Sequence, residues 1–74
     1  MIKEAKNLLS SVLAIESDAI QDEATSENLS GWDSLAIMQL MVSLEELYGI
    51  RLSIRDVESL KSVSGIAELI QKSK

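Results

Sequence analysis

Asp33-Ser34-Leu35-Ala36-Ile37-Met38-Gln39-Leu40-Met41-Val42-Ser43-Leu44-Glu45-Glu46-Leu47-Tyr48-Gly49 is the stretch whose reading decides the fold. Asp33 and Ser34 are residue types that start helices, and no Gly or Pro interrupts the run until Gly49, which suits a C-terminal cap. The spacing predicts a helix from about Ser34 to Tyr48. At about 100° per residue, Ile37, Leu40, Met41, Leu44, Leu47 and Tyr48 cluster on one broad face, the expected core face. Leu35, Met38 and Val42 fall nearly opposite, bordered by Gln39, Glu45 and Glu46. A solitary surface helix has no use for two apolar faces, so the narrower stripe either packs on a loop or meets another protein.

Upstream, residues 15 to 33 lose the helical period. They gather Ser17, Asp18, Asp22, Glu23, Thr25, Ser26, Glu27, Asn28, Ser30 and Gly31, the chemistry of a long loop. Ile15, Ile20 and Leu29 are expected to pin this loop to the core. Before it, Ile2, Ala5, Leu9, Val12 and Leu13 recur at three- and four-residue steps, with Leu8 broadening the face, and predict a first helix from about residue 2 to about 14. Downstream, Ser53-Ile54-Arg55-Asp56 fits a capping box leading into a short third helix with Val57 and Leu60 at helical spacing. Ser62 is placed to cap a fourth helix carrying Val63, Ile66, Ala67 and Ile70, with Lys72 and Lys74 at the negative end of its dipole. Gly65 costs about 1 kcal/mol relative to Ala inside that helix, so a close approach is its expected use.

These elements make an all-α fold: a small four-helix bundle of three main helices and a short third, with residues 1–74 as one domain. Seventy-four residues leave little room for a deep catalytic cleft. The chain is 46% hydrophobic but has no Phe, one Trp and one Tyr, so its core is aliphatic and supplemented by Met. It has no Cys and no His, which removes disulfides, the common zinc sites and the usual nucleophile–base pairs. Any reactive thiol must be imported on a cofactor. The net charge of −5 disfavours nucleic acid and anionic membranes and points to basic protein partners.

Asp18, Asp22, Glu23 and Glu27 lack the glycine and ligand order of an EF-hand, and read as a solvated acidic surface with no metal. The first helix mixes Lys3, Lys6 and Glu4 on its polar face and is expected to pack within the bundle, with no insertion in a membrane. The N-terminus has no unbroken apolar run, so neither a signal peptide nor a membrane span is expected. The chain starts at Met1, stops at Lys74 without a linker-like tail, and reads as a free-standing, cytoplasmic protein.

The run Gly31-Trp32-Asp33-Ser34-Leu35, followed by Leu40 and Leu44-Glu45-Glu46-Leu47-Tyr48-Gly49-Ile50, resembles the prosthetic-group site and second helix of acyl carrier proteins. The resemblance extends from about Leu29 to Ile70. It implies that Ser34 carries 4′-phosphopantetheine, whose terminal thiol holds the cargo as a thioester. Ser34 has no base to activate it, so a phosphopantetheinyl transferase must supply base and metal and take the arm from coenzyme A. The chain is then that enzyme's substrate and catalyses nothing.

The resemblance further implies that Asp33 and Leu35 flank the cofactor site and that partner enzymes read the second helix. Leu35, Met38 and Val42 match apolar contact positions there, Glu45 and Glu46 match acidic ones, and Gln39 lies between. The partners implied are the transferase and acyl-loading, acyl-transfer or condensing enzymes of fatty-acid-like or specialised-metabolite biosynthesis, met by a monomeric carrier. Ala36 and Gln39 stand where fatty-acid-synthesis members usually carry acids, so the recognition helix is expected to be less negative and its partners different.

In those members long acyl chains shelter between the second and third helices. The matching positions are Ile37, Met41, Leu44, Leu52, Val57, Leu60 and Ile66. Ile37, Val57 and Ile66 are bulkier than the Thr or Ala often found there, so short or polar cargo, or a chain left exposed, is expected. Trp32 is similar to the residue at this place in peptidyl and D-alanyl carriers and in some specialised acyl carriers; an anchor for the loop is the preferred reading. An aminoacyl or peptidyl carrier is the alternative within this family, and an unmodified helical interaction module is the alternative outside it.

Overall fold

The computed structural model describes residues 2–73. Three α-helices, α1 (Ile2–Leu13), α2 (Ser34–Tyr48) and α3 (Val63–Lys72), are accompanied by a 3-10 helix over Ile54–Lys61 and a single 3-10 turn at Ser17–Ala19 in the long loop. This is the expected bundle of three main helices and a short third one. The third is wound more tightly than the capping pattern alone conveys.

Short polar side chains start the later helices by taking up amides that the first turn leaves without partners. Asp33 accepts the Ala36 N–H at 3.0 Å and opens α2. Ser62 accepts the Gly65 N–H at 3.0 Å and opens α3. Asp56 turns its carboxylate back onto the Ser53 N–H at 2.8 Å, at the start of the 3-10 helix. Gly49 ends α2 with φ +64°, donating its N–H to the Glu45 carbonyl at 3.1 Å.

Ala14 ends α1, one residue earlier than expected, with φ +56°, a conformation that costs a side-chain-bearing residue energy. The Ile15 N–H reaches the Ser10 carbonyl at 3.2 Å, and the Ser10 hydroxyl donates to the Ile15 carbonyl at 2.7 Å. Two hydrogen bonds therefore hold a turn that its residue type disfavours. Lys72 lies in the last turn of α3, as the dipole argument requires. Lys74, expected beside it, lies outside the described residues.

The core is aliphatic. Leu9 of α1, Leu40 and Leu44 of α2, Leu60 of the 3-10 helix and Val63, Ile66 and Ile70 of α3 are completely buried. Among the described residues no polar or charged residue is buried with them. α1 packs on both α2 and α3, and the 3-10 helix closes the remaining side against α3 and α2. Gly65 permits that closure. A Cβ built on it would stand 2.1 Å from the Ser59 carbonyl oxygen, so only hydrogen fits where the 3-10 helix crosses α3.

The long loop is fastened at several points. Ile20 is buried, and Ile15 and Leu29 pack half-buried against the core, as expected. Lys6 of α1 forms an ion pair with Asp22. Thr25 bridges antiparallel to Ser62, with the Ser26 N–H on the Lys61 carbonyl at 2.8 Å and the Val63 N–H on the Ala24 carbonyl at 3.1 Å. That backbone splice between residues far apart in sequence has no local signature. Among the described residues, no group of three or more acidic side chains gathers to hold a metal ion, and no helix is long and apolar enough to cross a membrane.

Two side chains of α2 sit elsewhere than expected, Leu47 from the helical wheel and Ala36 from the family resemblance. Leu47, expected on the core face, is 68% exposed. Ala36, expected on the recognition surface, is buried. One cause explains both: the buried line of α2 runs Ala36, Leu40, Leu44 and then half-buried Tyr48, an i±4 row that slants around the helix axis. Leu47 falls off that slanted row, and Ala36 begins it.

Candidate functional site

The start of α2 is built from three consecutive residues with three different tasks. Gly31, at φ +86°, makes the left-handed turn that sends the next residue inward. Trp32 is 4% exposed, and its indole Nε1–H donates to the Leu60 carbonyl at 3.0 Å, fastening the loop to the end of the 3-10 helix. Asp33 is extended and exposed, and both of its oxygen types serve the helix. Its carboxylate accepts from Ala36, and its carbonyl accepts the Ile37 N–H at 3.0 Å. Trp32 therefore anchors the loop, and the partner of its N–H is a backbone carbonyl that no sequence pattern announces.

Ser34 follows as the first residue of α2, exposed to solvent, and its hydroxyl makes no hydrogen bond among the described residues. The hydroxyl stands clear of the protein while its backbone is fixed from both sides. The N–H groups of Ser34 and Leu35 have no protein acceptor among the described residues, so they and the positive end of the helix dipole are available to an anion. A phosphodiester on this hydroxyl would lie beside those amides. The arm supplies the chain's missing thiol when bound. On Ser34 such an arm would have the free amides of the first helical turn beside its phosphate and its point of attachment in solvent.

A family model described as "Phosphopantetheine attachment site" matches residues 3–70. The chain belongs to the acyl carrier protein family. A relative named acyl carrier protein from Bdellovibrio bacteriovorus is 29% identical over 69 residues, covering 93% of this chain and 88% of its own. One of the same name from Coprothermobacter proteolyticus is 27% identical over 71 residues, 96% and 87% of the two chains. Another from Clostridium perfringens is 31% identical over 70 residues, 95% and 92% of the two chains. Proteins of this family are carriers of acyl groups on a phosphopantetheine arm, and this member is not an enzyme.

The sequence-derived partner residues lie together on the side of α2 turned away from the core. Leu35, Met38 and Val42 are 62%, 61% and 52% exposed. Gln39, Glu45 and Glu46 are exposed beside them. The seven positions matched to the acyl shelter divide. Leu44, Leu60 and Ile66 have no exposed surface, Ile37, Met41 and Leu52 pack half-buried against the core, and Val57 is half-buried on the 3-10 helix without joining that cluster.

Proposed function

We propose that Ser34 is the attachment point of the 4′-phosphopantetheine arm, and that this carrier presents thioester-bound acyl groups to partner enzymes in the cytoplasm. The observation that carries the reading is the exposed hydroxyl of Ser34 at the capped first position of α2, in a chain whose family is defined by that attachment. A tethered arm keeps the thioester at high effective concentration for each docked enzyme, so a carrier with no chemistry of its own accelerates transfer between several. The transferase and the acyl-loading, acyl-transfer or condensing enzymes dock on Leu35, Met38, Gln39 and Val42, with Glu45 and Glu46 attracting basic residues. The pathway is fatty-acid-like or specialised biosynthesis, and residues 1–74 act as one carrier domain.

The test is to incubate the protein with coenzyme A and a phosphopantetheinyl transferase and weigh it intact. The expected result is a gain of one arm, localised by peptide mapping to Ser34. Ser34→Ala and Ser34→Thr are expected to stay folded by circular dichroism and gain nothing. An arm on folded Ser34→Ala would overturn the assignment.

A further inference from the structure

α1 and α2 leave a recess of about 450 Å³ between them, on the side of the bundle that carries the open apolar stripe. Leu35, Met38 and Val42 line it from α2 and Val12 lines it from α1, joined by Ser11, Gln39 and Ser43. Two short side chains, Ser11 on one helix and Ser43 on the other, leave the space unfilled. Its lining is also neutral. In a chain where 26% of the residues are charged, none of those around the recess is, so it offers apolar contact and hydrogen-bonding groups but no ion-pair partner. Glu45 and Glu46 are exposed farther along α2. Ser11 and Val12 belong to α1, outside the helix that the family resemblance marks for docking.

Resting on the assignment of Ser34, we infer that this α1–α2 groove is where the phosphopantetheinyl transferase seats an uncharged apolar anchor side chain, which makes Ser11 and Val12 of α1 specificity-determining residues for the modification. Position identifies the occupant. An enzyme acting on Ser34 must cover it, and Leu35, the next residue, already lines the groove. Ser34 to Val42 spans about 12 Å of helix at 1.5 Å per residue. A standard interface takes roughly 800 Å² from each partner, so a footprint over the serine takes in the groove as well. Chemistry identifies the contact. Binding energy concentrates where a large side chain enters a desolvated pocket ringed by groups that exclude water. Val12, Met38 and Val42 supply the apolar surface for such an anchor, and Ser11, Gln39 and Ser43 supply neutral hydrogen-bonding groups beside it. A cation on the transferase belongs farther along, at Glu45 and Glu46. A bulky residue at position 11 would close the groove, so α1 takes part in choosing the enzyme that modifies α2.

The experiment follows transfer of the arm from coenzyme A to the intact protein by a phosphopantetheinyl transferase, and reads methyl resonances of the isotope-labelled protein titrated with the same enzyme without coenzyme A. Ser11→Trp, on exposed α1 surface, is expected to stay folded by circular dichroism and to raise KM about tenfold with kcat unchanged, the signature of a lost docking contact. Ser11→Ala leaves the groove open, and Gln71→Trp lies on exposed α3 surface outside it; both are expected to keep the wild-type KM. Methyl groups of Val12 are expected to shift together with those of Met38 and Val42 when the enzyme is added. A wild-type KM in folded Ser11→Trp overturns the inference, as do shifts at Met38 and Val42 that leave Val12 unmoved, which confine docking to α2. Shifts at Val12 that appear with protein concentration alone give the groove to a second copy of this chain and overturn it too. The methyl reading needs no variant, so it decides between these outcomes even where Ser11→Trp fails to fold. Absence of the mass gain at Ser34 in the wild-type protein overturns the attachment itself, whereas each of the other outcomes leaves it in place.

Discussion

α2 has two apolar faces made of the same kinds of side chain and treated oppositely by the fold. On one, Ala36, Leu40 and Leu44 are 5%, 0% and 0% exposed. On the other, Leu35, Met38 and Val42 are more than half exposed. Hydrophobicity alone does not separate them; what separates them is the path of the neighbours. α1, α3 and the 3-10 helix cover the slanted row, and nothing among the described residues covers the other stripe except the rim of α1. An apolar stripe that the fold leaves open beside Ser34 is the surface on which the proposed docking of partner enzymes rests.

The sharpest way to break this comparison is to cut into the covered face. Leu44→Ala removes a fully buried side chain and is expected to destabilise the bundle by about 2–5 kcal/mol, read from denaturant midpoints. Gly65→Ala attacks the same face from its lid, since its methyl collides with the Ser59 carbonyl and pushes the 3-10 helix off α3. A cost of about 1–3 kcal/mol is expected, with methyl shifts spreading to Leu60 and Ile66. On the open face Met38→Glu is expected to change stability by no more than about 0.5 kcal/mol, while the transferase's kcat/KM for this substrate falls. If Met38→Glu were as destabilising as Leu44→Ala, the two faces would be one core.

Where a helix begins and ends was legible in single residues: Asp33, Gly49, Asp56 and Ser62 each meet the orphan group that their chemistry anticipates. The family was equally legible, because Gly31-Trp32-Asp33-Ser34-Leu35 and the helix that follows it were read together as an acyl-carrier pattern. Which side of α2 is covered was only half legible. A wheel averages over the helix and cannot show a row that slants, so it misplaced Leu47, and the family pattern alone gave no sign that Ala36 begins the buried row. The Thr25–Ser62 bridge and the Trp32–Leu60 hydrogen bond were invisible for a different reason. Backbone groups carry no residue identity, and the pairing depends on where distant segments arrive.

Trp32 is the chain's sole tryptophan, and its indole is buried with its N–H on Leu60. Its emission is therefore a built-in optical gauge of the junction between the attachment loop and the 3-10 helix. Anything that parts the 3-10 helix from the loop must strain or break that junction and redden the spectrum, whereas an enzyme docked on Leu35, Met38 and Val42 leaves the indole buried.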